Sequence, residues 1–210
     1  MSPRSYQLGQ RQAAVDATRR KVVDAARELL ADPDGNPGFS LDAVAKRADV
    51  ARATVYNRFE SKSGLLEALF DTLAQDGRMS DLADAFAHPD PAEAVRRFVA
   101  CFGRFWASDR LVLRRIRAIA ALDPEVGAVI AARDERRRIG LRVLASRFAS
   151  LADTPEAEGG AEAAAGFDRV DVMHTLTSFE TFDSLAGPNR PPDDVIPLVT
   201  DLVMRVMTGR

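Results

Sequence analysis

Apolar positions recur every three to four residues along most of the chain, and strict two-residue alternation of β-branched residues is missing. That spacing is the signature of amphipathic helices, so the pattern predicts an all-α fold. A first helix is expected over residues 16–31, with Val22, Ala26, Leu29 and Leu30 on one face. It stops at the breaker-rich stretch DPDGNPG, residues 32–38. Ser40 then caps a short helix with Leu41, Val44, Ala45 and Ala48 on one side. Beyond Asp49-Val50 a second short helix buries Val55 and Phe59. Ser61 caps a fourth helix that turns Leu65, Leu66, Leu69, Phe70 and Leu73 inward.

A polar stretch runs on through His88, and Asp90-Pro91-Ala92-Glu93 reads as a helix start. Asp caps it, Pro takes the first position and Glu completes a capping box. Val95, Phe98, Val99, Phe102, Phe105 and Trp106 then form a wide apolar stripe. Asp109 and Asp123-Pro124-Glu125 open two more helices, the second reaching about Leu151. Residues 153–166 are small and polar and read as a loop. The last two helices are expected over 167–185 and 194–207, with Pro197 harmless in a first turn. The expectation is about nine helices in two parts, residues 1–62 and residues 63–210.

Composition changes this picture little. Apolar residues make up 46% and charged residues 29% of the 210, ordinary for a globular chain. No apolar run approaches the ~18 residues of a membrane helix, and the first 12 residues lack the apolar core of a secretory signal. Cys101, alone of its kind, sits in the run FVACF and reads as a small buried hydrophobe. A cytoplasmic protein with no membrane partner is expected. Charge is more informative in its distribution than in its sum of −2. Residues 1–62 hold 11 Lys/Arg and 8 Asp/Glu, net +3, whereas the remainder holds 18 and 23, net −5. The first third is the part suited to phosphate.

The chemistry-bearing stretch is residues 40–62, SLDAVAKRADVARATVYNRFESK. Two short amphipathic helices meet across a tight turn, as in a helix-turn-helix. Ala45 is small where the helices cross, and Val44, Ala48, Val50 and Val55 hold their angle. The turn needs a residue that tolerates positive φ, which Asp49 does at some cost. The outward face of the second helix carries Arg52, Thr54, Tyr56, Asn57 and Arg58, donors of the kind that meet phosphates and base edges in a major groove. Lys62 stands at the start of the next helix, where its charge and the helix terminus both favour a phosphate. A charged face after a tight turn can equally be a solvated face, and residue types alone leave both readings open.

Residues 40–73 resemble the DNA-binding domain of the TetR family of helix-turn-helix transcriptional regulators. The likeness rests on Ser40, Val44-Ala45, Ala48-Asp49-Val50-Ala51, Ala53-Thr54-Val55-Tyr56, Phe59, Ser61-Lys62 and Leu65, and on the preceding helix TRRKVVDAARELLAD. It is specific over about residues 17–74 and only architectural beyond. Three positions depart from the family pattern: Asp49 stands for a turn Gly, Ala51 for a capping Ser/Thr, and Ala53 for a frequent Gly. The missing cap is worth ~1 kcal/mol. The resemblance implies that Ser40, Tyr56 and Lys62 contact phosphates, that Arg52, Thr54 and Asn57 read bases or adjacent backbone, and that Arg58 does either. Lys46 and Arg47 are expected to be solvated or to face phosphate. It also implies a homodimer on palindromic, double-stranded operator DNA, repressing until a small-molecule effector binds.

The C-terminal part is then expected to dimerise and to bind that effector. In the last helix Val195, Ile196, Val199, Leu202, Val203, Val206 and Met207 cover more than half the circumference, which calls for partners on two sides. Phe98, Phe102, Trp106, Leu113, Ile116, Met173, His174 and Phe179 are candidates for lining a hydrophobic effector's cavity, and each fits plain core as well. His174 is either satisfied locally or presented to a ligand. Arg133, Arg136, Arg137 and Arg138 read as a solvated helix face. No cofactor or metal is expected. The chain has two histidines, of which His88 shows no evident partner, and it has no metal-ligand spacing, nucleophile elbow or phosphate-cradling glycine loop. An enzyme fits poorly. The alternative is a helical ligand-binding or interaction protein with weak or vestigial DNA binding.

Overall fold

The computed structural model describes residues 3–32, 39–151 and 168–209, and among these there is no strand. Eleven α-helices follow one another: α1 Pro3–Ala31, α2 Leu41–Arg47, α3 Arg52–Phe59, α4 Lys62–Asp76, α5 Leu82–Ala87, α6 Pro91–Ser108, α7 Arg110–Leu122, α8 Pro124–Leu151, α9 Arg169–Leu176, α10 Phe179–Ala186 and α11 Ile196–Thr208. Short 3₁₀ turns, Met79–Asp81 and Pro192–Val195, lead into α5 and α11. The expected loop over 153–166 and the breakers at 33–38 lie outside the described residues.

The all-α class is as the periodicity predicts, but the count exceeds nine for two local reasons. The stretch before His88 contains α5, whose single buried residue, Ala85, is too weak a signal in a polar segment. The helix expected over 167–185 is two helices. Thr177 ends α9, and Ser178, in extended backbone, accepts the Thr181 N–H to start α10. The first helix is longer than expected, beginning at Pro3. The capping box expected at Asp90 does not form. Asp90 Oδ1 accepts the Ala92 N–H at 2.9 Å, while Glu93 turns to Arg97 at 3.0 Å. The Asp90 N–H goes instead to His88 Nδ1 at 3.2 Å, which gives that histidine the partner the sequence did not reveal.

The chain forms two compact units, residues 1–72 with 111–129, and residues 73–110 with 130–210. In the first, α2 packs on α1 and α3. Val22, Ala26, Leu30, Val44, Ala45, Val55, Leu65 and Leu69 are buried. Arg115 of α7 donates to the Leu30 carbonyl at 2.5 Å, satisfying one of the acceptors left open where α1 ends.

The second unit is built on α6, which packs against α5, α10 and α11. Its apolar stripe is wholly used, with Val95, Phe98, Val99, Phe105 and Trp106 all at most 2% exposed. Trp106 also spends its indole N–H on the Thr177 carbonyl at 3.0 Å, so the aromatic body is buried without stranding a donor. Arg110, at the end of this unit's first segment, pairs with the Asp183 carboxylate and donates to its carbonyl.

The crossing of α6 with α11 depends on Gly103. A Cβ there would lie 2.4 Å from Ile196 Cγ1 and 3.0 Å from Phe182 Cε1. Gly-to-Ala in a helix normally gains up to about 1 kcal/mol. Here overpacking, typically ~1–3 kcal/mol, reverses the sign. Gly103→Ala is therefore expected to lower the thermal midpoint, measured by circular dichroism or calorimetry, and an unchanged or raised midpoint would contradict this packing.

Candidate functional site

The helix-turn-helix forms as its sequence dictates. The side chain of Ser40 accepts the Ala43 N–H at 3.2 Å and so caps α2, leaving its hydroxyl proton to donate outward. The turn closes through Ala48 N–H to the Val44 carbonyl at 2.8 Å and Val50 N–H to the Ala45 carbonyl at 3.1 Å. Asp49 sits at φ 48, the left-handed conformation that its place in the turn requires. Lys21 of α1 donates to the Asp49 carbonyl at 3.5 Å, helping to hold that geometry. α3 starts without a side-chain cap at Ala51, and it ends on Glu60 at φ 62, a second positive-φ residue that the sequence did not flag.

On α3, Val55 and Phe59 are buried, and this one row fixes which way the others point. Arg52, Tyr56 and Asn57 are exposed, while Thr54 and Arg58 are half-buried. Thr54, Asn57 and Arg58 line a surface cleft of about 470 Å³ together with Arg19 of α1. Arg19 was not among the sequence candidates. Its guanidinium lies 5.3 Å from the centre of the Phe59 ring, a placement that only the tertiary contact of α1 with α3 creates. Its signal in the sequence is faint, one cation in the run TRRK.

Three other cations of this region are already paired with acids. Arg52 Nε lies 2.7 Å from Asp42 Oδ1, and its Nη2 donates to the Tyr56 hydroxyl at 3.1 Å. The Tyr56 hydrogen bond, and then Asp42, push the Arg52 pKa further up. Lys62 Nζ is 2.5 Å from Asp123, in the corner between α7 and α8. Lys62's hydrogen bond and two backbone N–H groups hold the Asp123 carboxyl below its usual range. Arg47 is bound to Glu28 of α1 at 2.7 Å, so it is tied to the protein rather than merely solvated. Lys46 is exposed.

Of the residues expected to line a cavity, Phe98, Phe102, Trp106, Met173, His174 and Phe179 belong to the second unit, and Leu113 and Ile116 are buried in the first. The aromatics form one row. Ring centres are 4.7 Å apart for Phe98–Phe102, 5.9 Å for Phe102–Trp106 and 5.7 Å for Trp106–Phe179. At its side the expected solvated arginine face divides. Arg136 is exposed, but Arg137 is 4% exposed, with its guanidinium over the Phe102 ring. Arg137 donates to the His174 carbonyl at 2.6 Å, to Thr177 Oγ1 at 2.8 Å and to Asp134 at 3.2 Å. The charge run concealed this, because only tertiary packing decides which turn of α8 faces α9. Neighbouring Arg138 pairs with Asp171.

Residues 22–69 match the sequence profile described as "Bacterial regulatory proteins, tetR family". Residues 22–69 are therefore similar to the DNA-binding part of the tetR family of bacterial regulators. The chain is 32% identical over 108 residues to the HTH-type transcriptional regulator AlkX of Mycobacterium tuberculosis, covering 50% of each chain. The match thus spans about half the length of that curated relative. Among solved structures, the TetR family transcriptional regulator PfmR of Thermus thermophilus aligns with 88% of this chain and 97% of its own, at 22% identity and a TM-score of 0.58. The regulator FadR of Bacillus subtilis, solved with stearoyl-CoA, aligns with 91% and 98%, at 16% identity and a TM-score of 0.53. At these identities the solved structures speak for a shared fold alone. Among the described residues no helix is long and apolar enough to cross a membrane, and no group of three or more His, Cys, Asp or Glu is placed to hold a metal.

His174 is engaged within the protein. Its Nε2 lies 3.0 Å from Arg137 Nη2, a donor, and 3.0 Å from the Asp134 carbonyl, an acceptor, and it can bond to only one of them at a time. A guanidinium only donates, so Nε2 serves Arg137 only while unprotonated. Burial, and then the Arg137 charge, depress the His174 pKa. The unfolded chain, with a histidine pKa of about 6.5, therefore takes up the proton first. The stability contributed by neutral His174 is complete above that pH and is lost as the pH falls below it toward the folded pKa. The thermal midpoint is expected to decline between pH 7 and pH 5, and His174→Gln should flatten that decline. An identical pH profile for the variant would show that His174 does not carry it.

Proposed function

We propose that this chain is a ligand-responsive transcriptional repressor of the cytoplasm, which binds palindromic operator DNA as a homodimer and releases it when a small hydrophobic effector binds. In this reading residues 1–62 meet DNA, and residues 63–210 bind the effector and dimerise. The observation that carries it is the outward row of α3. Arg52, Thr54, Tyr56, Asn57 and Arg58 stand on a helix whose inward row, Val55 and Phe59, is locked in the core. A helix of this size presented edge-on suits a major groove.

The dimer is supported by α11. Val195, Val199, Val203 and Met207 bury one side, while Leu198 is 44% exposed and Leu202 and Val206 are half-buried. A second copy would cover that face, and a two-fold dimer sets two reading heads ~34–36 Å apart, one turn of duplex. Release is supported by Lys62, whose ammonium meets either Asp123 or a phosphate. An effector that favours the DNA-free form needs a coupling of only ~1–3 kcal/mol. Effector contacts are assigned to Phe98, Phe102, Trp106, Met173 and Phe179 of the second unit.

Binding to a duplex that the wild-type protein selects from a randomised pool tests this reading. Lys62→Ala is expected to weaken binding to all sequences alike and to flatten the salt dependence by about one unit. Asn57→Ala should instead alter which bases are preferred, by ~1–3 kcal/mol. A charge placed at Leu202 should break the dimer in sedimentation. Failure to select any duplex, or a monomer at micromolar concentration, would overturn the proposal.

A further inference from the structure

Asp42 sets an acid beside the cationic face that α3 presents, and no motif calls for it. It lies in the first turn of α2, exposed, and reaches across the turn to the first residue of α3. Its Oδ1 holds Arg52 Nε at 2.7 Å. From the other side the Tyr56 hydroxyl accepts from Nη2 at 3.1 Å, and the Arg52 guanidinium lies 5.0 Å from the Tyr56 ring centre. The side chains of Arg52 and Asp42 are 65% and 53% exposed, and an ion pair that open to water adds little to stability. Fold stability therefore does not account for it. We propose that Asp42 determines specificity by fixing the orientation of Arg52 for base reading and withholding it from phosphate.

The argument rests on the DNA-binding reading above and on the donor geometry of arginine. A guanidinium has five N–H groups in a rigid fork. With Nε on Asp42 and one Nη2 proton on Tyr56, two protons of Nη1 and one of Nη2 remain. Donors of this kind meet the N7 and O6 acceptors of a guanine. Held by a carboxylate and a hydroxyl, the side chain gives up less rotamer entropy on meeting a base. Without Asp42 the same arginine would swing to the nearest phosphate, which adds affinity for every sequence and information about none. The carboxylate itself repels phosphate in every complex alike, so the discrimination passes through Arg52. Asp42 thus lowers non-cognate binding and sharpens the cognate contact through Arg52.

The test compares two duplexes of equal length and composition, one selected by the wild-type protein from a randomised pool and one scrambled. Affinities are measured by fluorescence anisotropy for the wild type, Asp42→Asn, Arg52→Ala and the double variant. Asp42→Asn is expected to tighten scrambled binding several-fold and to cut the ratio of the two affinities by on the order of tenfold. In the Arg52→Ala background the same change should leave the ratio unaltered, because the discrimination it removes passes through Arg52. A ratio that Asp42→Asn leaves intact, or shifts equally in both backgrounds, overturns the proposal while the DNA-binding reading stands. Arg52→Lys provides a check that keeps both the charge and Asp42. It should lower the ratio with scrambled affinity unchanged, and a preserved ratio would again overturn the proposal. If the wild type selects no duplex at all, the DNA-binding reading falls, and this inference with it.

Discussion

The angle between α2 and α3 is the constraint on which the outward face of the first unit depends. Seven residues of α2 and eight of α3 are too few to be stable helices alone. They hold because Val44, Ala45, Ala48, Val55 and Phe59 leave water together, at roughly 1.5–3 kcal/mol for each larger side chain. The connection between them tolerates no slack. It closes through Asp49 in a left-handed conformation, with the Val50 N–H returning to Ala45. Once that angle is fixed, the position of every exposed side chain on α3 is fixed with it. This is why a face with few bonds of its own can still be a defined surface.

Electrostatics then refine that surface. Arg52, Lys62 and Arg47 are each neutralised by an acid from another helix or corner: Asp42, Asp123 and Glu28. These cations are arranged and locally compensated, so on the proposed reading phosphate competes with carboxylate for them. Binding of that kind is selective about geometry and sensitive to salt.

The second unit applies the opposite principle, placing a charge inside an aromatic core. Arg137 is tolerated there because a carbonyl, a hydroxyl and a carboxylate take its protons and the Phe102 ring lies under its plane. Removing a partner from such a network costs more than the network adds, so the arrangement specifies how α8 and α9 meet. It also accounts for the neutral state of His174, which follows from burial and from the neighbouring guanidinium rather than from exposure to a ligand.

Periodicity, capping residues and turn chemistry are local, and what they govern was legible in the chain. They gave the helical class, the two short helices at Ser40 and after Asp49, the strained turn and the buried pair Val55 and Phe59. Contacts between residues far apart in sequence leave no such trace. That α1 brings Arg19 beside Asn57, that Asp42 reaches Arg52, that Asp123 meets Lys62 and that Arg137 turns inward could be decided only by folding. The physical reason is range. A helix's apolar face follows from residues three and four apart, whereas the partner of a charge depends on which helix packs against it, and only the tertiary structure sets that.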